Sequence, residues 1–161
     1  MIYLIGSLRN PEVPRISKRL RGEGISVFDE WYAAGEKADD AWRDYEKERG
    51  WTFSRAIGTS LAAAHVFEFD YKNLLRAEAA VLVCPAGKSG HLELGWCIGR
   101  GKRGYILLEP GVERWDVMYK FADGVFDNVE ELIDEIRSRG FGRDEVGYEV
   151  PGDGKDGGVL V

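Results

Sequence analysis

The run "AAVLVC", Ala79 to Cys84, is apolar throughout and stands between Glu78 and Pro85. A strand with one wet face alternates apolar and polar residues. An unbroken apolar run of this length marks a strand covered on both faces. Such a strand sits inside a mostly parallel sheet, with helices as the two covers. Four further runs fit as its neighbours: Ile2 to Ile5, ended by Gly6-Ser7, then Ile25 to Phe28, Tyr105 to Leu108, and Val125-Phe126. Helical patterns lie between them. Val13, Ile16 and Leu20 make one apolar stripe with Arg15, Lys18, Arg19 and Arg21 outside it, stopped by Gly22 and Gly24. Asp29 to Gly35 reads as a loop. Helices are expected over Asp39–Arg49, Thr52–Phe69, Tyr71–Glu78 and Gly90–Arg100, the last with Ser89 as its N-cap. "VEELIDEIRSR", Val129 to Arg139, is amphipathic, with acids early and arginines late as the helix dipole prefers. The expectation is an α/β fold: a mostly parallel five-stranded sheet with helices on both faces.

At 161 residues the chain suits one domain. Residues 1–140 are assigned to it, and 141–161, with "PGDGKDGG", to a Gly-rich flexible tail. The net charge of −6 argues against a nucleic-acid polymer or an anionic membrane as partner. A small anionic ligand needs only a local cationic pocket and stays open. No apolar run approaches the roughly 20 residues of a membrane span. "MIYLIGSLRN" lacks the basic region of a signal peptide and reads as a strand and turn. Cys84 and Cys97 match no zinc or redox spacing, and the chain has two histidines. The expectation is therefore no metal, no cofactor and a reduced, cytoplasmic compartment.

In a parallel α/β sheet, ligands bind beyond the C-terminal strand ends. That directs attention to "GSLRN" after the first strand and "PAGKSGH" after "AAVLVC". In "GKSGHLELGW", Glu93 stands among small and apolar residues. Placed near a helix start, it would be kept ionised by the dipole and could act as a nucleophile. Dipole complementarity alone also explains an acid there, and on this fact alone is the simpler reading. Asp70 follows "HVFEF" at an expected helix end, where it is either functional or the N-cap of the next helix. Tyr3 is either core packing or a hydroxyl aimed at a carboxylate. Gly6, Ser7 and Arg9, with Ser89, Gly90 and Lys88 opposite, could hold a phosphate; Arg9 and Lys88 could equally be solvated. "FDEWYAAGEKADDAW" offers Asp29 and Trp31 for reading and stacking a nucleobase, or for a packed lid or subunit contact. His91 is a polar lining residue or simply part of the helix start.

In order and spacing, "IYLIGSLR", Asp70, "AEAAVLV" and "GKSGHLELGWCIGRGK" resemble the nucleoside 2-deoxyribosyltransferase-like superfamily. "IYLIGSLR" looks especially like the start of the 2′-deoxynucleoside 5′-phosphate N-hydrolases. The resemblance covers Ile2 to Arg9 and Asp70 to about Leu108. It implies a flavodoxin-like (Rossmann-like) sheet and cleavage of an N-glycosidic bond by hydrolysis or by transfer to another base. It implies Glu93 as nucleophile at C1′, Tyr3 as its orienting group, and Asp70 as the acid near the leaving base. Ser7 and Arg9 would hold a 5′-phosphate, and a homodimer would share groups between sites. One departure stands out: six positions before the nucleophile, family members often carry serine or aspartate, where this chain has Gly87. A nucleotide sensor without turnover, or a glycohydrolase of NAD-like dinucleotides, are the alternative readings.

Overall fold

The structure is a computed structural model that describes residues 1–108 and 115–142. Five parallel strands form one sheet in the order β2-β1-β3-β4-β5. They are β1 (Ile2–Ile5), β2 (Val27–Phe28), β3 (Ala79–Val83), β4 (Arg103–Leu107) and β5 (Gly124–Phe126). The apolar run from Ala79 forms the central strand β3, and all five residues of the strand are buried. The helices are α1 (Glu12–Gly22), α2 (Ala38–Glu48), α3 (Phe53–Thr59), α4 (Leu61–Arg76), α5 (Lys88–Gly99) and α6 (Val129–Arg139). Short 3₁₀ helices cover Glu30–Ala34 and Val117–Phe121, the first within the segment expected as a loop.

Strand side chains alternate, so each strand feeds two cores. Ile2, Leu4, Val81, Val83 and Tyr105 pack with Val13 and Leu20 of α1 and Leu132, Ile133 and Ile136 of α6. Tyr3, Ile5, Ala80, Leu82 and Ile106 pack on the other face with Leu74 of α4 and Leu94 and Cys97 of α5. Tyr3 is thereby committed to the face that carries α4 and α5.

Two helix boundaries differ from expectation. The helical stretch after Thr52 breaks at Ser60, not at Asp70. Ser60 leaves the helical region (ψ 121°), and its Oγ accepts from the Ala63 amide at 3.4 Å, which starts α4. The helix then runs through Asp70 to Arg76, so Asp70 is no N-cap. Aspartate is a weak helix former, but packing overrides propensity inside a docked helix. Ser89 is not a cap either: Gly87 takes that position, with no side-chain hydrogen bond, and Ser89 is already helical. At the other end of the chain, α6 stops on Gly140 with a left-handed φ of 74°. Phe141 then packs on the core, and Gly142 accepts from the Ser26 amide at 2.7 Å. The rest of the expected tail, 143–161, lies outside the described residues.

Candidate active site

The strand order reverses between β1 and β3: the chain leaves β1 for β2 on one side and β3 for β4 on the other. The turns after these two strands flank the resulting crevice. Asn10, buried and unremarked in the sequence, ties them together. Its Nδ2 donates to the carbonyls of Val83 and Pro85, both at 3.3 Å, while its Oδ1 accepts from the Glu12 amide at 2.9 Å. The asparagine just before Pro11 and a helix was the available signal.

Gly6 opens the first turn. A Cβ there would lie 2.6 Å from Val13 Cγ2 and 3.6 Å from the Trp31 ring, so only glycine fits. Ser7 Oγ accepts from the Arg9 amide at 3.2 Å, which curls the loop and sets Ser7 and Arg9 side by side. Gly90, in the first turn of α5, lets that helix sit on the sheet. A Cβ there would meet Ile5 and Leu82 side chains at 3.0 Å. The leading amides of α5, Ser89 among them, have no intrahelical partner.

Glu93 lies one turn further along α5 than a first-turn acid, and it is partly buried. Asp70 reaches the same space from α4 and Tyr3 from β1. The three are close enough to act on one another's ionisation. Burial, then the charge of Asp70, pushes the Glu93 carboxyl up to about 7. Burial pushes Asp70 up to about 6. Burial, then the charges of Asp70, Glu93 and Cys97, raises the Tyr3 phenol well above its ordinary value. This corrects the expectation that the helix dipole keeps Glu93 ionised. The dipole fades within the first turn, and desolvation beside a second carboxylate outweighs it. Asp70 Oδ1 is buried and has no hydrogen-bond partner among the described residues.

An aromatic wall backs this group. Tyr3 stacks on Phe28 at 5.0 Å, and Phe28 meets Phe69 at 5.8 Å. On the far side Tyr71 meets Trp96 edge-on at 5.3 Å. Trp31 spends its indole N–H on the Leu4 carbonyl at 2.8 Å and presents its ring beside Gly6. Asp29 is taken by Arg21, which donates to it at 2.6 Å, so its carboxylate serves the β2 edge. His91 is engaged at both ring nitrogens, Nδ1 with the Gly87 carbonyl at 2.8 Å and Nε2 with the Tyr119 hydroxyl at 3.1 Å. An open cavity of about 640 Å³ adjoins the start of α5, lined by Ala86, Gly87, Lys88, His91 and Leu92. None of the three titrating groups lines it, so it neighbours the carboxylate site and is distinct from it. Among the described residues no group of three or more histidine, cysteine or acidic side chains could hold a metal ion. No helix among them is long and apolar enough to cross a membrane.

The fold and the site together define an open, parallel α/β domain with two paired carboxylates at its switch point. One solved structure that shares this fold is a 2-deoxyribosyltransferase from the psychrotolerant bacterium Bacillus psychrosaccharolyticus. The match has a TM-score of 0.56 at 19% identity, over 83% of this chain and 90% of that one. No family model and no curated protein matches the sequence.

Proposed function

We propose that the protein is an N-glycosidase that cleaves the bond between base and sugar in a nucleoside or its 5′-monophosphate. The observation that carries this reading is the buried, unpartnered Asp70 oxygen in a space shared with Glu93 and Tyr3. An orphaned buried carboxylate oxygen costs free energy, and sites that retain one usually use it. The shared fold with an enzyme used in nucleoside synthesis adds support.

The chemistry follows from two carboxyl groups whose proton affinities are both raised. Near neutral pH such a pair holds about one proton between them, and that proton belongs to the pair. As the C1′–N bond stretches, positive charge grows on the sugar and favours ionised Glu93, leaving the proton on Asp70. Asp70 passes it to the departing base. Glu93 bonds to C1′, giving a glycosyl-enzyme as in retaining glycoside hydrolysis. Tyr3, kept protonated by its surroundings, donates a hydrogen bond that orients the carboxylate. Water then attacks C1′, the bond to Glu93 breaks and the water's proton goes to Asp70, releasing the free sugar; alternatively a second base attacks, leaves its N–H proton on Asp70 and displaces Glu93, and a new nucleoside forms. Ser7 and Arg9 receive the 5′-phosphate, and Trp31 and the Phe28–Phe69 wall flank the base. The working unit is a homodimer, supported by the apolar side chains that α4 and α5 leave exposed.

The test is release of free base from a panel of nucleosides and 5′-monophosphates, followed by chromatography, for the wild type and Glu93→Ala. Release by the wild type and at least a 10³-fold loss in the variant is the expected result, given the size of nucleophile deletions elsewhere. Equal release from both would end the proposal. Tight binding of an intact nucleotide over hours would mark a sensor instead, and nicotinamide release from NAD a dinucleotide glycohydrolase.

A further inference from the structure

The Arg9 guanidinium has an acidic partner within the chain. Its Nη2 donates to Asp40 Oδ2 at 2.7 Å, reaching from the loop after β1 to the first turn of α2. The other oxygen of Asp40 accepts from Arg43 Nη1 at 2.8 Å, and Arg43 Nε in turn donates to Asp44 at 2.8 Å. One carboxylate thus bridges two guanidiniums. Phosphates are held between arginines in the same way.

We infer that Asp40 is a built-in stand-in for the substrate's 5′-phosphate. It holds Arg9 until a monophosphate binds and must then be displaced. The inference rests on the proposed role of Arg9 and adds to it the residue that sets the preference between monophosphate and free nucleoside. Relative strengths make the exchange feasible. The Arg9 and Asp40 side chains are 61% and 41% exposed, and ion pairs this wet contribute little. A phosphate brings more charge and several acceptor oxygens, so it wins Arg9. Asp40 keeps Arg43 after the exchange and loses only one of its two partners. A nucleoside leaves the Arg9–Asp40 pair closed. Asp40 then also stands as an anion beside the bound phosphate. Competition and repulsion act in the same direction, so Asp40 lowers affinity for phosphate.

Two measurements on the wild type, Asp40→Asn, Asp40→Ala, Arg9→Ala and the Arg9→Ala/Asp40→Asn double variant test this. One is titration with inorganic phosphate by calorimetry or NMR. The other is the ratio of kcat/KM for 2′-deoxynucleoside 5′-monophosphates to that for the matching nucleosides. Both Asp40 variants are expected to bind phosphate about 2- to 5-fold more tightly and to raise the ratio by a similar factor. In the Arg9→Ala background the Asp40 change is expected to do nothing. Unchanged or weaker phosphate binding in both Asp40 variants, with Arg9→Ala still damaging, overturns the stand-in role alone. Phosphate binding indifferent to Arg9→Ala, or absent from the wild type and from the Asp40 variants, overturns the phosphate assignment of Arg9 and this inference with it. Failure of the wild type to release base sinks the N-glycosidase reading, while the phosphate titration still judges Asp40.

Discussion

Glu93 and Asp70 are held partly out of water, and each prefers its neutral form more strongly than a solvated acid does. For Glu93 the folded value of about 7 lies above the ordinary 4.5. Folding is therefore unpenalised below about pH 4.5 and loses stability as pH rises toward 7. Glutamine has no proton to lose. Glu93→Gln should abolish base release yet raise stability at pH 8 by on the order of 2 kcal/mol, with no gain at pH 4. Denaturant unfolding at the two pH values checks this; equal effects at both would mean Glu93 is solvated. In the proposed mechanism the pair also sets the activity profile. With values of about 6 and about 7, kcat/KM for base release should peak between them and fall on both sides. Asp70→Asn should remove the alkaline limb and lower the maximum. "GKSGHLELGW" was enough to pick out Glu93, because an acid among small and apolar residues needs a reason. Its protonation was not legible. That depends first on burial in the assembled fold and then on the charge of Asp70, which arrives on another helix.

The elements show the same division between local and tertiary information. Strands β1 and β3 and helix α6 were readable because burial on both faces, or on one stripe, writes itself into residue order. The α3–α4 junction was not, since its break depends on partners far away. Ser60 is buried. Its Oγ donates to Glu46 Oε1 at 2.6 Å, accepts weakly from the Trp42 indole at 3.4 Å and caps α4. Glu46, itself buried, keeps Arg49 at 3.1 Å as its other partner. Ser60→Ala removes a helix cap and strips a buried carboxylate of one donor. The expected cost is about 1–3 kcal/mol, seen as a lower denaturant midpoint. Thr52→Ala, which removes the exposed cap of α3, should cost about 1 kcal/mol or less. If the two variants lose the same stability, the Ser60–Glu46 contact contributes nothing beyond an ordinary cap.

For the whole molecule, the mostly parallel sheet followed from alternating strands and helices, whereas the pairing of β1 with β3, which sets "GSLRN" and "PAGKSGH" beside one crevice, is settled only in the assembled sheet. The surface was less readable, because exposure of an apolar side chain is a property of the assembled fold. On α4 only Leu74 is buried, while Leu61, Val66, Phe67, Phe69 and Leu75 are exposed. Leu61 is 87% exposed and Leu92 of α5 is 74% exposed. In the proposed homodimer a second copy covers the apolar groups left open on the helices that carry Asp70 and Glu93, and shields the carboxylates from water. The paired change Leu61→Glu/Leu92→Glu removes no buried contact, so the variant should keep the helical circular dichroism of the wild type. It should nevertheless run as a monomer in light scattering where the wild type is expected to run as a dimer, and its base release should fall and recover partly at higher protein concentration. A wild type that is monomeric and fully active at micromolar concentration would show that one chain closes its own site, and the exposed face of α4 would then need a different occupant.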